Sequence, residues 1–178
     1  KLYLGDFVNT VFVTNTETLV GGSTNDFVTL TAQVTNAVVD LAAGNDTLAL
    51  AAAVNTVTVS NVETITGAAS ADTVVLKVAT TRAVVDLAAG ADTLRLANAG
   101  GTVSVANVET ITGGTARDFV TLSGAAAGVT VDLAAGLDKL VLGAFANTLT
   151  VSNVETIVGG LSSDFVTLGA AASRITVD

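Results

Sequence analysis

The sequence predicts an all-β chain wound as a parallel β-solenoid, of β-roll or β-helix type. Three observations predict it: one phrase returns at a constant distance, strand-forming segments fill the space between its copies, and Gly-containing clusters punctuate those segments. The phrase Asn-Val-Glu-Thr-Ile begins at Asn61, Asn107 and Asn153, with a variant copy at Asn15; 61 − 15, 107 − 61 and 153 − 107 are all 46. A fixed period of this size marks a stacked repeat architecture, in which one unit cannot bury its own apolar face and its neighbours do so for it. The 178 residues form a single array of a little under four units, approximately 1–46, 47–92, 93–138 and 139–178.

Each unit carries a second phrase, Val39-Asp40-Leu41-Ala42-Ala43-Gly44-Asn45-Asp46, which returns at Val85 and at Val131. An Asp then opens the following strand at positions 26, 46, 72, 92, 118, 138 and 164, in steps that alternate between 20 and 26. Each 46-residue unit is therefore expected to make two unequal coils, each begun by an Asp.

The segments between are strands. Asn55 to Val59, Asp72 to Leu76 and Arg82 to Leu87 are rich in Val, Thr and Leu, with apolar and polar residues alternating. That is the period-2 pattern of a half-buried strand. Clusters such as Gly113-Gly114-Thr115-Ala116 and Ala88-Ala89-Gly90-Ala91 supply turns. Ala occurs in short runs broken by Gly, and the strongest segments are β-branched, which argues against helix. Stacked copies place like residues in inward columns: Val28, Val74, Val120 and Val166; Leu30, Leu76, Leu122 and Leu168; Leu19, Ile65, Ile111 and Ile157.

Composition excludes several classes of function. There is no Cys, so neither a disulfide framework nor a thiolate metal site exists. There is no His, which removes the commonest general base and the commonest transition-metal ligand. A net charge of −9 argues against nucleic acid, whose phosphates demand a basic surface. No apolar run approaches the about 20 residues of a membrane-spanning helix, so membrane insertion is not expected. Acidity suits a hard-cation binder or a solvated surface. The chain begins and ends inside its own pattern without a polar or helical cap. We expect a segment of a longer solenoid, with end-to-end stacking of copies into a fibre as the alternative.

The loop Gly21-Gly22-Ser23-Thr24-Asn25-Asp26-Phe27-Val28 departs at one position, Thr24, from the nonapeptide G-G-x-G-x-D-x-U-x. Its companion Leu41 to Leu48 keeps Gly44 and the pair Asn45-Asp46 but lacks the leading Gly-Gly. With these loops and the phrases around them, the whole chain resembles the RTX-like (hemolysin-type calcium-binding) repeat regions of large secreted bacterial proteins, including S-layer proteins and adhesins. The resemblance implies Ca²⁺ held between successive turns by loop carboxylates and main-chain carbonyls. The residues in position are Asp26, Asp46, Asp72, Asp92, Asp118, Asp138 and Asp164, with Asn25 and Asn45 as helpers. It also implies an extracellular or cell-surface location and folding coupled to export, with calcium scarce inside the cell and abundant outside.

The residues also carry a plainer reading. Each Asp can accept main-chain N–H groups of its own turn and so cap the strand that follows. Ala68 replaces a motif Gly, and Arg117 and Lys139 sit beside Asp118 and Asp138, where a cation site would not want them. The columns Glu17, Glu63, Glu109, Glu155 and Asp40, Asp86, Asp132, Asp178 read as structural, as does the Asn column at 15, 61, 107 and 153.

The functional expectation is a non-enzymatic extracellular structural or adhesive module with calcium-assisted folding. Its partners would be adjoining repeats or further copies of itself. A metal-free rod that stacks into a fibre is the alternative. An ice-binding face built on Thr56/Thr58, Thr102/Ser104 and Thr148/Thr150 is a lesser one, because that pair comes only once per 46 residues. The basic residues Lys77, Arg82, Arg95, Arg117, Lys139 and Arg174 look scattered, and no inserted loop is long enough to form a cleft, so an enzyme is not expected.

Overall fold

The computed structural model describes residues 1–169 and 176–177; Arg174 and Asp178 lie outside the described residues. The first unit supplies β1 (Leu2–Tyr3), β2 (Asn9–Val13), β3 (Thr18–Val20), β4 (Asp26–Leu30) and β5 (Ala37–Asp40). The second supplies β6 (Thr47–Ala49), β7 (Thr56–Ser60), β8 (Thr64–Thr66), β9 (Thr73–Leu76) and β10 (Thr80–Asp86). The third supplies β11 (Thr93–Arg95), β12 (Gly101–Ala106), β13 (Thr110–Thr112), β14 (Asp118–Leu122) and β15 (Ala127–Asp132). The fourth supplies β16 (Lys139–Val141), β17 (Thr148–Ser152), β18 (Thr156–Val158), β19 (Phe165–Leu168) and β20 (Thr176–Val177).

Odd-numbered strands form one ten-stranded sheet and even-numbered strands another, and every pairing is parallel. Each turn of the chain therefore lays one strand in each sheet. The all-β parallel solenoid is as the repeat predicts, with no helix among the described residues. At about 4.8 Å between neighbours, ten strands make sheets about 43 Å wide along the rod axis.

The coils are unequal, as expected, but their number per unit is not two. Partners in adjacent strands are 17 or 20 residues apart, or 21 at the two register shifts: Val11 pairs with Val28, Val28 with Leu48, Leu48 with Ile65, and Ile65 with Val85. Two consecutive turns of 17 + 20 residues leave nine of the 46 over, about half a turn. Five strands per unit at two per turn give the same answer, two and a half turns. Equivalent residues consequently alternate between sheets. Val28 lies on β4 and Val120 on β14 in one sheet, while Val74 on β9 and Val166 on β19 lie in the other. These positions do face the interior, yet each inward column mixes residue types, as in Val11, Val28, Leu48, Ile65 and Val85.

The interior between the sheets is aliphatic. Leu19, Leu48, Ile65, Leu94, Ile111 and Leu140 are almost fully buried, and so are Leu41, Leu87 and Leu133 at the corners. None of the seven aromatic side chains belongs to this core: Phe119 is half-buried and the other six are exposed. Sheets about 10 Å apart leave room for interdigitated Val, Leu and Ile, and every turn must match its neighbours in thickness.

Turn chemistry accounts for the Asn column. Asn15, Asn61, Asn107 and Asn153 have φ of 50–52°, the left-handed region that Asn tolerates better than most residues. The side chains of Asn61, Asn107 and Asn153 each donate to an Asp one turn earlier, Asp40, Asp86 and Asp132, at 2.7 Å. Ala42, Ala88 and Ala134 hold φ of 63–65° without any such compensation.

On the outer face of the odd-numbered sheet one Thr stands on each of seven successive strands. The column runs from Thr56 through Thr73, Thr93, Thr110, Thr130 and Thr150 to Thr167. The three Thr/Ser pairs singled out in the sequence are split, Thr102/Ser104 lying on the even-numbered sheet and the other two on the odd-numbered one.

Candidate functional site

The strand-opening Asp residues are gathered into short stacks at the edges of the sheets. The first stack is Asn9, Asp26, Asp46 and Glu63, in successive turns beside the even-numbered sheet. The second, Asn55, Asp72, Asp92 and Glu109, runs beside the odd-numbered sheet. The third, Gly101, Asp118, Asp138 and Glu155, returns to the even-numbered side, and Asn147 with Asp164 lies on the odd-numbered side. The half-turn left over in each unit is what alternates them.

Within a stack each carboxylate reaches one turn back along the chain. The Asp26 N–H donates to Asp46 Oδ1 at 2.7 Å, and the Asp46 N–H to Glu63 Oε2 at 2.8 Å. The second stack repeats this, with Asp72 N–H to Asp92 Oδ1 at 2.6 Å and Asp92 N–H to Glu109 Oε2 at 2.8 Å. The third repeats it again through Asp138 and Glu155, both at 2.7 Å. At the head of the second stack Asn55 donates to Asp72 Oδ1 from both its N–H and its Nδ2 at 2.9 Å. Own-turn capping is present too, but only at Asp26, Asp118 and Asp164, which accept from Gly22, Gly114 and Gly160 at 3.1–3.2 Å.

The local sequence makes room for this arrangement. A Cβ at Gly44 would stand 2.6 Å from Asp46 Oδ1, and one at Gly90 would stand 2.9 Å from Asp92 Oδ1. Gly136 is in the same relation to Asp138. The Gly two residues before these Asp residues is therefore the space into which the carboxylate folds.

Burial then sets the electrostatics. Asp26, Asp46, Asp72, Asp92, Asp118 and Asp138 are at most 1% exposed. Loss of hydration raises the pKa of Asp46, Asp92 and Asp118, partly offset by the N–H groups they accept. Asp138 rises to about 6, first through burial and then through the charges of Asp118 and Glu155, although the Asp118 N–H and the Arg117 guanidinium oppose it. Asp164 is lowered instead, chiefly by its bond from the Asn147 side chain. Among the described residues five buried carboxylate oxygens have no hydrogen-bond partner, Oδ2 of Asp46, Asp72, Asp92 and Asp138 and Oδ1 of Asp118, as do the hydroxyls of Thr24 and Thr112.

The donor chemistry of these stacks, carboxylate oxygen with main-chain carbonyls nearby, is of the kind calcium takes. The count is short of it. Calcium takes six to eight oxygens, the filled oxygens already accept N–H groups, and among the described residues no three acidic side chains are grouped to hold a metal ion. Asn25 and Asn45 are exposed, and the Asn45 N–H donates to Asn25 Oδ1 at 2.9 Å.

Two kinds of residue in the stacks are absent from the sequence-predicted set. Glu63, Glu109 and Glu155 terminate the Asp stacks rather than forming a column of their own. Asn9, Asn55 and Asn147 head them. The signal was there in the spacing, since Asn55, Asp72, Asp92 and Glu109 are separated by 17, 20 and 17 residues, the lengths of the turns.

Comparison with known proteins returns no match, neither to a family model nor to a curated protein nor to a solved structure. What is established is the architecture, a parallel β-solenoid compatible with a β-roll repeat.

Proposed function

We propose that this chain is a non-enzymatic structural and adhesive module of an extracellular or cell-surface rod, of the RTX-like kind found in S-layer proteins and adhesins. The observation that carries the reading is the uniformity of the turns. Each presents an aliphatic interior to the turn before and the turn after, so the fold lengthens by adding units. Regular outer faces, interrupted one residue at a time, support a scaffold that bears contacts.

Calcium-assisted folding belongs to the same reading. Its support is the set of unpartnered oxygens on Asp46, Asp72, Asp92, Asp118 and Asp138. Asp26 and Asp164 complete the stacks that would hold the ion. A bound cation would supply neutralisation of carboxylates that burial leaves under-compensated. The test is thermal unfolding followed by far-ultraviolet circular dichroism, in millimolar calcium and after chelation. A midpoint that rises strongly with calcium supports the reading. Coinciding melts overturn it and leave a metal-free rod in which the Asp residues only tie neighbouring turns together and cap strands.

A second reading, an ice-binding face, is favoured by one observation, the unbroken column of seven Thr from Thr56 to Thr167. Thermal hysteresis measured on the chain, and on a Thr93→Lys/Thr110→Lys variant, tests it. No hysteresis in the unmodified chain removes the reading.

A further inference from the structure

The basic residues look scattered in sequence, but strand pairing brings three of them onto one face. Lys139 opens β16 and is the register partner of Phe119 on β14, which in turn partners Thr102 on β12. Arg117 precedes β14 by one residue and is exposed on the same side as Phe119. On β10 the register shifts between Thr80 and Ala83, so that Thr81 and Arg82 together span the stretch beside Thr102, and Arg82 is exposed. The Lys139 ammonium stands 5.2 Å from the centroid of the Phe119 ring.

Beside this cluster runs a groove of about 380 Å³, lined by Thr80, Gly100, Gly101, Thr102, Arg117 and Phe119. Its wall carries one departure in the third unit. Where Asn9, Asn55 and Asn147 fill the head of the other stacks, Gly101 brings no side chain, and Gly100 beside it has φ of 74°. Arg117 is a departure too. It stands where the other units have Asn25, Ala71 and Ser163, while the position of Lys139 holds Lys1, Thr47 and Thr93 in the other units. A position that repeats elsewhere without charge does not need that charge to fold.

We infer that this face, running from β10 across β12 and β14 to β16, is a docking surface for an acidic polysaccharide. Charge complementarity carries the assignment. The cluster is a local concentration of positive charge on a chain of net charge −9, and it flanks an aromatic ring in a shallow groove. A sugar ring lying in the groove beside Phe119, whose face the Lys139 ammonium covers, would place its carboxylate or sulfate groups within reach of Lys139 and of Arg117, whose guanidinium can pair bidentately, with Arg82 two strands away. A second copy of this chain fits less well. Among the described residues its only exposed acids are Asp6 and Glu17, the remainder being buried or half-buried. Single-stranded nucleic acid stacks successive bases on aromatic side chains, and this groove offers Phe119 alone.

The proposal rests on the adhesive half of the function proposed above and gives it a partner. It is tested by titrating the intact chain calorimetrically with an oligogalacturonide, with a neutral dextran oligomer and with a poly-glutamate peptide, at low and high salt. The expected result is binding of the oligogalacturonide alone, weakened by salt. An Arg117→Ser/Lys139→Thr variant, which restores residues found at the same positions in other units, should bind at least tenfold more weakly. Phe119→Thr, matching Thr73, should weaken binding severalfold. Unchanged melting midpoints would show that both variants keep the fold. No binding to the oligogalacturonide, equal binding of dextran, or unchanged binding by the double variant overturns the proposal. Preferential binding of poly-glutamate also overturns it, in favour of an acidic protein partner. A failure here with an intact melt leaves the rod reading standing.

Discussion

Asp92 Oδ1 accepts the main-chain N–H of Asp72 at 2.6 Å from one turn further along the chain, and Asp92 Oδ2 beside it has no partner at all. One carboxylate thus has a structural half and an uncompensated half. The first ties neighbouring turns together, and the second carries a desolvated charge with nothing to meet it.

Separating the two halves by mutation gives the first prediction. Asp92→Asn keeps an Oδ1 acceptor for the Asp72 N–H and removes the charge, so the melting midpoint at pH 7 should hold or rise. Asp92→Ala leaves that buried N–H without an acceptor and should destabilise by about 1–3 kcal/mol. Denaturant titration of the two variants checks the contrast, and equal losses would show that the charge itself is needed.

The stacks also predict how stability follows pH. Asp46, Asp92, Asp118 and Asp138 have raised pKa values in the folded chain, Asp138 reaching about 6 against an ordinary 3.8. Between those values the folded state binds more protons than the unfolded one, so their stabilising contribution is full below pH 3.8 and is lost as pH rises through about 6 for Asp138. Asp164 is lowered and acts oppositely, losing its contribution as acid protonates it. The midpoint without calcium should therefore be higher at pH 5 than at pH 7.5, by about 2–4 °C for each kcal/mol recovered. Melts across that interval test it, and a fall toward pH 5 would contradict the burial argument.

Backbone strain supplies a third. Ala42, Ala88 and Ala134 occupy the left-handed region at φ of 63–65°, which costs an L-residue about 1–2 kcal/mol. Replacing one by Gly removes that strain but gives the unfolded chain more freedom, worth about 0.4–1 kcal/mol. Ala88→Gly should thus stabilise by about 0.5–1 kcal/mol, read as a shifted denaturant midpoint at unchanged slope.

The fourth concerns the missing Asn of the third unit. Asn55 Nδ2 donates to Ala51 O at 2.9 Å, Ala53 O at 2.6 Å and Asp72 Oδ1 at 2.9 Å, and its Oδ1 accepts the Val34 N–H at 3.2 Å. Gly101 makes none of these side-chain bonds. Amide hydrogens of the turn from Ala97 to Gly101 should exchange faster than those from Ala51 to Asn55. Asn55→Gly should abolish the difference and destabilise the chain by about 1–3 kcal/mol.

Much of this was legible in the sequence. The 46-residue period, the Val- and Thr-rich segments and the Gly clusters point to the parallel solenoid, and Val28, Leu48, Ile65 and Leu94 face inward as their alternation requires. The winding was not legible from the period alone. A repeat length says when a pattern returns but not how many turns pass meanwhile, and the turn length resides in fainter spacings such as Asp46 to Glu63. For the same reason Glu63 looked like a column apart from the Asp residues it bonds. The Asp residues were rightly placed at strand openings. That their oxygens mostly serve the neighbouring turn follows from stacking, which a single unit cannot display.

The extra half-turn in each unit has a consequence for arrays of this kind. A residue introduced at one position of every unit appears on opposite sides of the rod in alternation, and recurs on the same side only after 92 residues and five strands, about 24 Å. Gaining or losing one unit would swing every downstream decoration to the opposite side, whereas gaining or losing two would leave the pattern of presentation intact. Parity of copy number, as much as length, would then decide which ligands such a rod can engage together.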